Sequence, residues 1–367
     1  MMMNRFIAFI HKLLGTASAL ALAAGSFSCE HIYDYEGDCA PHYFVEFKFE
    51  RNMLFADAFY AKVSSIDLYV FDARSGRFVD RFTESSDVLK TPGYRMPLDL
   101  EPGSYTFVAW GGTAHNEGRY ALPAEGQIAG IDDLFAKMNR TVAGDQTHQS
   151  NTNLDYNTAG VPCALYHGRI EAELPDREGE HCYTVPLTKD TNNIIVSIWH
   201  RYGELNPAHY DIRLVYPEGE SSATLGADNL PLTDRPVVYR PWDQRGGDLD
   251  LGDAIPGLGE EEGAGDADYD HPQGKFITAE ISTSRLLADQ NPRLVIYDTE
   301  AEEVRLDIPF IKYINAYRSA NYKKMDNQEY LDRQDEYTVA IILDSSWAAF
   351  QLIIQGWHEI DNGDLEI

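Results

Sequence analysis

The clearest reactive group in this sequence is a cysteine that follows a signal-like segment. A positively charged N-terminus precedes the apolar residues 13–24, and residues 26–28, Ser-Phe-Ser, lead directly to Cys29. Small residues before such a cysteine are typical of bacterial lipoprotein signals, in which the thiol of the new N-terminus forms a thioether to diacylglycerol. We therefore predict that residues 1–28 are a lipoprotein signal peptide and that Cys29 carries lipid. Ordinary secretory cleavage is the alternative.

The segment after the cysteine is rich in acids and predicts a short lipidated tether over residues 29–41. An acidic run in this position can also act as an address for export to the cell surface. Two or three acyl chains would hold the protein to a bilayer almost permanently.

No familiar catalytic motif is present in the sequence. The Gly-x-Ser-x-Gly elbow, the phosphate-binding loop, the His-Glu-x-x-His zinc motif and a Gly-x-Gly-x-x-Gly after a strand are all absent. Residues 357–359, Trp-His-Glu, begin like the zinc motif but lack its second histidine. We therefore predict that the protein is not an enzyme and has no catalytic residue, no metal site and no cofactor.

An acidic, glycine-rich stretch over residues 243–270 predicts a mobile surface loop. Two groups of aspartates in it could offer oxygen ligands to calcium, namely Asp243, Asp248 and Asp250, and Asp266, Asp268 and Asp270. Neither group has both the defined turn and the closing bidentate carboxylate of a calcium loop, so we favour a solvated loop.

Two cysteines flank a segment that could form a hairpin. Cys163 and Cys182 could be brought together there and bridged in an oxidising compartment, which would leave Cys39 unpaired. A bridge and two free thiols are equally compatible with the sequence, and neither implies catalysis.

Composition limits the possible partners. The 367 residues carry 59 acidic and 30 basic side chains, a net charge of −29, which argues against nucleic acid or an anionic lipid surface. A hydrophobic content of 44% with 12% aromatics excludes general disorder, and the length suits two domains. No stretch of about 20 apolar residues predicts a transmembrane helix.

The elements that must position these groups are mostly strands. In residues 42–50, Tyr43, Val45, Phe47 and Phe49 share one face, whereas charged residues occupy the other. This period of two is typical of a half-buried β-strand.

Similar short strands follow to the end of the chain, so we predict an all-β fold of two tandem antiparallel sandwiches. The predicted domains span residues 42–188 and 189–367. One short helix is predicted over residues 131–139, and residues 313–334 are interpreted as a long connection before the last two strands.

Several segments in a fixed order resemble the FimB-like family of fimbrial anchoring subunits of Bacteroidales. Together they cover nearly the whole chain after the signal: Ile32-Tyr33-Asp34 and Cys39 behind the lipobox cysteine, residues 52–59 leading to 66–72, residues 100–111, residues 187–196, Ser284-Arg285-Leu286 and residues 353–357.

The resemblance implies two transthyretin-like sandwich domains in an outer-membrane lipoprotein, exposed at the cell surface, that holds the base of a fimbrium and limits its growth. Stalk subunits of such fimbriae lose their first strand to a protease and accept a neighbour's strand instead. An anchor keeps its first strand, here the one bearing Tyr43, Val45, Phe47 and Phe49. The implied partners are fimbrial stalk subunits and the outer membrane, without nucleic acid, and a host or bacterial surface ligand is a further option.

Arg51 raises a competing interpretation because it directly follows the first strand. Cleavage after Arg51 would remove that strand together with the lipid and make the protein a stalk or tip subunit. The apolar terminal strand offers another assembly element: Leu352, Ile353, Ile354 and Trp357 could enter a neighbouring subunit or complete the second sandwich.

Two other classes of function are weaker. A surface glycan-binding lipoprotein would stack sugars on exposed aromatics, with the tyrosines between residues 313 and 330 as platform. A hydrolase using two carboxylates ranks third, because no pair stands out in so acidic a chain.

Overall fold

Strands account for most of the regular structure in the computed structural model. It describes residues 40–115, 119–139, 141–142, 155–157, 164–200, 203–217, 220, 223–232, 237–249, 274–354 and 358–361. The predicted all-β class is therefore confirmed, and it follows from the apolar period of two along the sequence.

The strands of the first half are β1 (Pro41–Lys48), β2 (Ile66–Asp72), β3 (Phe78–Glu84), β4 (Arg95–Leu98), β5 (Gly103–Gly111), β6 (Tyr120–Ala121), β7 (Phe135–Met138), β8 (Thr141–Val142), β9 (Asp155–Asn157), β10 (Tyr166–Leu174), β11 (Gly179–Pro186) and β12 (Thr188–Lys189). Those of the second half are β13 (Thr191–His200), β14 (Tyr210–Val215), β15 (Thr224–Gly226), β16 (Val237–Tyr239), β17 (Pro241–Leu249), β18 (Gly274–Ser284), β19 (Arg293–Asp298), β20 (Glu303–Pro309), β21 (Glu336–Ser346), β22 (Ala349–Ile354) and β23 (His358–Asp361). The described α-helices are α1 (Phe59–Lys62), α2 (Phe310–Ala316) and α3 (Asn327–Arg333).

The first sandwich consists of two sheets with strand orders β11-β1-β4 and β12-β10-β5-β2-β3. Its apolar core includes Val45 of β1, Leu68 of β2 and Phe107 of β5, all fully buried. β2 is buried on both faces, because Tyr69 and Phe71 point away from this core into a second apolar cluster. Burial on both faces explains why β2 is almost continuously apolar instead of alternating.

The second sandwich has sheets with strand orders β17-β18-β13-β21-β22-β23 and β20-β19-β14-β16-β9-β8. Ile198 of β13, Leu214 of β14 and Ile296 of β19 meet in its core. Most described strand pairs are antiparallel, as predicted, but the β13–β21 pair and the β16–β9 pair are parallel.

Strands from the first half also belong to sheets of the second half. β8 and β9 extend the sheet that contains β16, and β7 pairs with β15 and β6 in a small three-stranded sheet. The domain division at residue 188 stays a proposal, but β7 and β9 pair with strands that follow residue 188.

The helix predicted over residues 131–139 is wrong. Residues 131–133 form a single 3-10 turn, and strand β7 follows directly. Leu134, Ala136 and Met138 are each about 1% exposed and alternate with less buried neighbours. The spacing of the apolar residues fits both an α-helix and a 3-10 turn followed by a strand. The pairing of β7 with β15 selects the strand.

The connection predicted over residues 313–334 contains α3 and part of α2. Asp326 caps α3, since its carboxylate accepts hydrogen bonds from the backbone N–H groups of Gln328 and Glu329. Tyr313 and Tyr330 are buried in the second core, so they do not form the exposed aromatic platform that sugar binding would need.

The loop predicted over residues 243–270 is wrong over its first seven residues. Residues 243–249 belong to β17, which pairs with β18 through a bulge after Pro241. Residues 250–273, including Asp250, Asp266, Asp268 and Asp270, lie outside the described residues.

Candidate functional site

The strand β1 is an inner strand of its sheet. It lies between β4 and β11, and its register with β4 pairs Tyr43 with Leu98 and Val45 with Met96. An inner strand has neighbours along both edges, so its backbone hydrogen-bonding groups are used within the protein.

The apolar face of β1 fills the first core, as the sequence predicts. Tyr43, Val45, Phe47 and Phe49 are each no more than 5% exposed. The ring of Phe47 stacks on Phe59 with centroids 5.6 Å apart, and Phe49 meets the ring of Tyr166 edge to face at 5.0 Å. Truncating one such buried ring to alanine typically costs about 3–5 kcal/mol, so β1 is a substantial part of the core.

A turn tied by side chains ends β1. The carboxylate of Asp57 accepts hydrogen bonds from the backbone N–H groups of Phe49 and Phe59, each 3.0 Å long. The amide nitrogen of Asn52 donates to the carbonyls of Phe49 (2.7 Å) and Ala56 (2.8 Å). The backbone around Arg51 is therefore held in a defined conformation.

Arg51 is bonded to the second half of the chain. Its Nη1 lies 3.3 Å from Oδ2 of Asp332 in α3 and 3.4 Å from Oγ1 of Thr188. The Arg51 side chain is 46% exposed, whereas that of Asp332 is 2% exposed. The exposed arginine thus reaches a buried carboxylate.

Arg333, which follows Asp332 in α3, binds the backbone on both sides of Arg51. Nη1 of Arg333 donates to the carbonyls of Glu50 at 3.0 Å and Asn52 at 3.2 Å. The Arg333 guanidinium also lies 4.5 Å from the ring centroid of Phe55, in cation–π geometry. We call Arg51, Asp332 and Arg333, with these contacts, the Arg51 clamp.

A buried polar cluster contacts the Arg51 clamp through Asp332. Arg285 donates to both carboxylate oxygens of Asp332, at 2.9 and 3.0 Å, and to the carbonyl of Asn229 at 2.7 Å. The Asn229 amide nitrogen donates in turn to Oδ1 of Asp190 at 2.9 Å. Burial raises the pKa of Asp190 to about 7, although the nearby Arg285 favours the charged form.

The terminal strand already has neighbours on both sides. β22 pairs with β21 and β23, and Leu352, Ile353 and Ile354 are buried. Leu352 and Ile354 belong to the second core, which agrees with the interpretation that this strand completes its own sandwich. Trp357 lies outside the described residues, and donation to another subunit stays a prediction.

The cysteine predictions remain untested. Cys29, Cys39 and Cys163 lie outside the described residues, whereas Cys182 is exposed and forms no disulfide with another described cysteine. The bridge between Cys163 and Cys182 therefore stays a prediction.

Metal-binding clusters and membrane-spanning helices are absent from the described ranges. These ranges contain no group of three or more His, Cys, Asp or Glu side chains arranged to hold a metal ion. None of the described helices has the length and apolar character that a bilayer crossing needs.

Sequence reasoning found β1 and Arg51 but missed the residues that hold them. The aspartate before α3 and the i,i+4 pair of Glu329 and Arg333 are signals for that helix. Arg285 lies in the Ser284-Arg285-Leu286 segment of the family resemblance, but no sequence signal distinguishes the buried Asp332 from the many surface charges of this chain.

Comparison with known families gives a match over most of the chain. The model of the family described as fimbrillin-A associated anchor proteins Mfa1 and Mfa2 matches residues 35–363. The matched stretch includes β1, the Arg51 clamp and β22. Among curated protein sequences, none matches this chain.

Solved structures similar to this chain include fimbrial and adhesin-like proteins. A Bacteroides thetaiotaomicron protein provisionally described as an adhesin is 27% identical, with a TM-score of 0.69 over 89% of this chain and 99% of its own. A Bacteroides thetaiotaomicron protein provisionally described as polysaccharide binding is 26% identical, with a TM-score of 0.66 over 88% and 99%. The fimbrial anchor protein Mfa2 from Porphyromonas gingivalis shares the fold at 14% identity, with a TM-score of 0.57 over 88% and 99%.

Proposed function

Because the chain belongs to the family of fimbrillin-A associated anchor proteins, we propose that it is an outer-membrane lipoprotein that anchors the base of a fimbrium and ends its elongation. The family and its fold are those of fimbrial structural and adhesive proteins rather than of enzymes. Membership therefore associates the chain with a fimbrium at the cell surface and with other fimbrial subunits as partners.

The inner position of β1 carries the proposal. A subunit can accept a neighbour's strand only where a sheet edge is open and an apolar slot beside it is empty. In the first sandwich the slot holds Phe47 and Phe49, and β4 and β11 occupy both edges of β1. A subunit that keeps β1 therefore has no slot to offer there, and it ends the series of strand exchanges.

The Arg51 clamp supports an anchor over the alternative of a stalk or tip subunit cleaved after Arg51. A protease with arginine specificity must take the arginine side chain into its own pocket and bind the flanking backbone. The guanidinium of Arg51 is bonded to Asp332, and the carbonyls of Glu50 and Asn52 are bonded to Arg333. These contacts must break before cleavage, so they favour retention of β1.

A lipid on Cys29 supplies the other half of the proposed role. Cys29 precedes β1 by a short acidic segment, so the lipid and the retained strand belong to one continuous piece of chain. Acyl chains contribute about 0.8 kcal/mol per buried methylene, so two or three chains on one cysteine anchor a lipoprotein stably.

The test is to isolate the native protein from outer membranes and to determine its mass and N-terminus. The expected species is blocked at a lipid-modified Cys29, contains residues 29–51 and co-purifies with fimbrial shafts. A Cys29→Ala variant should leave the membrane fraction and yield detached fimbriae.

The matched control is Cys182→Ala, which removes an exposed cysteine from the body of the protein. It should remain in the membrane fraction with shafts attached. A native species that begins with a free Asn52, or a Cys29→Ala variant that stays membrane-bound, would refute the proposed function.

A further inference from the structure

A cavity beside the Arg51 clamp gathers cationic side chains. Its volume is about 560 Å³, within the usual range of binding pockets. Lys48, Arg51, Arg169 and Arg333 line it, and Arg285 lies on its lining in a bidentate pair with Asp332. Such a collection stands out in a chain whose net charge is −29.

The cations at this cavity are only partly neutralised. In the described part of the chain the guanidinium of Arg169 forms no ion pair or hydrogen bond, and Lys48 has only a 3.7 Å contact with Glu46. In Arg51 only Nη1 takes part in the clamp. Arg333 is paired with Glu329, so Arg169 is the cation of this lining without a described partner. Guanidinium groups with free N–H donors are suited to bind carboxylates.

Two carboxylates and a histidine also line the cavity. Glu50 and Asp228 are exposed at it, so they offset part of the positive charge. His167 is buried, and its Nε2 donates to the carbonyl of Ala227 at 3.1 Å. Burial lowers the pKa of His167 to about 4, so it is uncharged at neutral pH and adds no cation.

A buried acceptor in the cavity lining lacks a donor. Asn229 is 6% exposed. Its backbone carbonyl accepts a hydrogen bond from Arg285, and its side-chain amide nitrogen donates one to Asp190. Its Oδ1 has no partner within the described residues. This oxygen is covered by the surrounding protein, so the exposed side chains of the lining form the surface that a ligand would meet.

The lining favours peptide over sugar as the source of the carboxylate. No Trp, Tyr or Phe is among the described residues that line the cavity, so it offers no ring on which a sugar could stack. Leu230, which is 55% exposed, instead gives the lining an apolar side chain. An acidic peptide carries both the carboxylates and the apolar side chains that such a lining can bind.

We propose that this cavity binds an acidic peptide segment of a partner protein, with its carboxylates on Arg51 and Arg169 and an apolar side chain against Leu230. The partner's identity as a fimbrial subunit rests on the proposed function, whereas the site itself rests on the contacts above. The cavity is thus a docking point beside the end of the retained strand.

The test is a fluorescence titration of the full chain with two labelled peptides of matched length. One is acetyl-Gly-Glu-Leu-Glu-Glu-Gly-amide and the other has glutamine in place of every glutamate. The glutamate peptide should bind at least ten-fold more tightly. Arg169→Gln should weaken its binding at least five-fold without changing the melting temperature, since the Arg169 guanidinium has no partner to lose.

The matched control is Arg74→Gln, which removes an exposed arginine from the turn after β2, away from the cavity. Its affinity for the glutamate peptide should equal that of the wild type. Equal affinity for both peptides, or equal affinity of the Arg169 and Arg74 variants, would overturn the proposal. Tighter binding of trigalacturonate than of the glutamate peptide would also overturn it, in favour of an acidic glycan.

This titration involves neither the lipid nor the fimbrial shaft. If the titration shows no selective binding of the glutamate peptide, the docking proposal is refuted and the anchor proposal is unaffected. If the native protein lacks β1, the anchor proposal is refuted and the peptide measurements remain valid.

Discussion

Asp190 is a fully buried carboxyl group with one unsatisfied oxygen. Its Oδ1 accepts from Asn229, its Oδ2 has no partner in the described residues, and the nearest cation, Arg285, is 3.9 Å from Oδ1. Because Arg285 is already bonded to Asp332, it does not fully compensate the burial of a second carboxylate. The pKa of Asp190 consequently rises to about 7.

This raised pKa predicts a pH dependence of stability. Between its unfolded value of about 3.8 and its folded value of about 7, the folded state binds a proton that the unfolded state has lost. The free energy of unfolding should therefore fall as pH rises from 5 to 7, by up to about 1.4 kcal/mol per pH unit relative to Asp190→Asn. Urea unfolding of both proteins at several pH values measures this difference.

Asparagine is the right replacement because it keeps an oxygen for the Asn229 hydrogen bond and removes the titration. The control is Asp335→Asn, an exposed carboxylate paired with Lys189, which should not reproduce the effect. A constant difference between wild type and Asp190→Asn from pH 5 to 8 would contradict the prediction. Such residue-level features could not be predicted, because nothing in the sequence distinguishes Asp190 from its many exposed counterparts.

At the level of elements, the Arg51 clamp connects the end of β1 to α3. Replacing Arg333 with glutamine removes two hydrogen bonds to the backbone and the cation–π contact with Phe55, but leaves the buried Asp332–Arg285 pair in place. The loss of about 2–3 kcal/mol of local stabilisation should increase trypsin cleavage after Arg51 about 30- to 150-fold. N-terminal sequencing of fragments that begin at Asn52 measures the rate.

Arg305→Gln is the matched control, since Arg305 is also a paired arginine but bonds to Asp298 in another sheet. It should leave cleavage after Arg51 unchanged. The clamp would lose its protective role if trypsin cut the wild type after Arg51 as fast as after the exposed Arg74.

The strands were largely predictable, because an apolar period of two has one simple explanation. β1 is the clearest case: all four residues assigned to its apolar face are buried. The segment over residues 131–139 was not predictable, since its spacing also fits a helix and only the distant β15 selects a strand. For the same reason the tyrosines near α2 and α3 were misjudged, because burial by the second core depends on contacts far away in sequence.

At the level of the whole molecule, the two halves share an apolar cluster. Val108 and Trp110 of β5 belong to the same cluster as Ile194 of β13 and Leu214 of β14. We therefore expect a single cooperative unfolding transition for the mature chain in a calorimetric scan, although its length would suit two independent domains.

A fragment of residues 189–367 extends this prediction. It lacks β7, which pairs with β15, and β9, which pairs with β16, so it should show no cooperative transition. The intact mature chain, residues 29–367, is the control. Two separate transitions in the intact chain, or a cooperative transition in the fragment, would contradict a shared core.

The inner position of β1 has a mechanical consequence for a tethered protein. If the lipid on Cys29 resists a pull on the fimbrium, tension reaches the body of the protein through β1, which has neighbours on both sides. The hydrogen bonds to β4 lie across the strand axis, so sliding β1 lengthwise loads several of them in shear at once. A strand at a free edge, peeled away from one end, would yield bond by bond under a much smaller force.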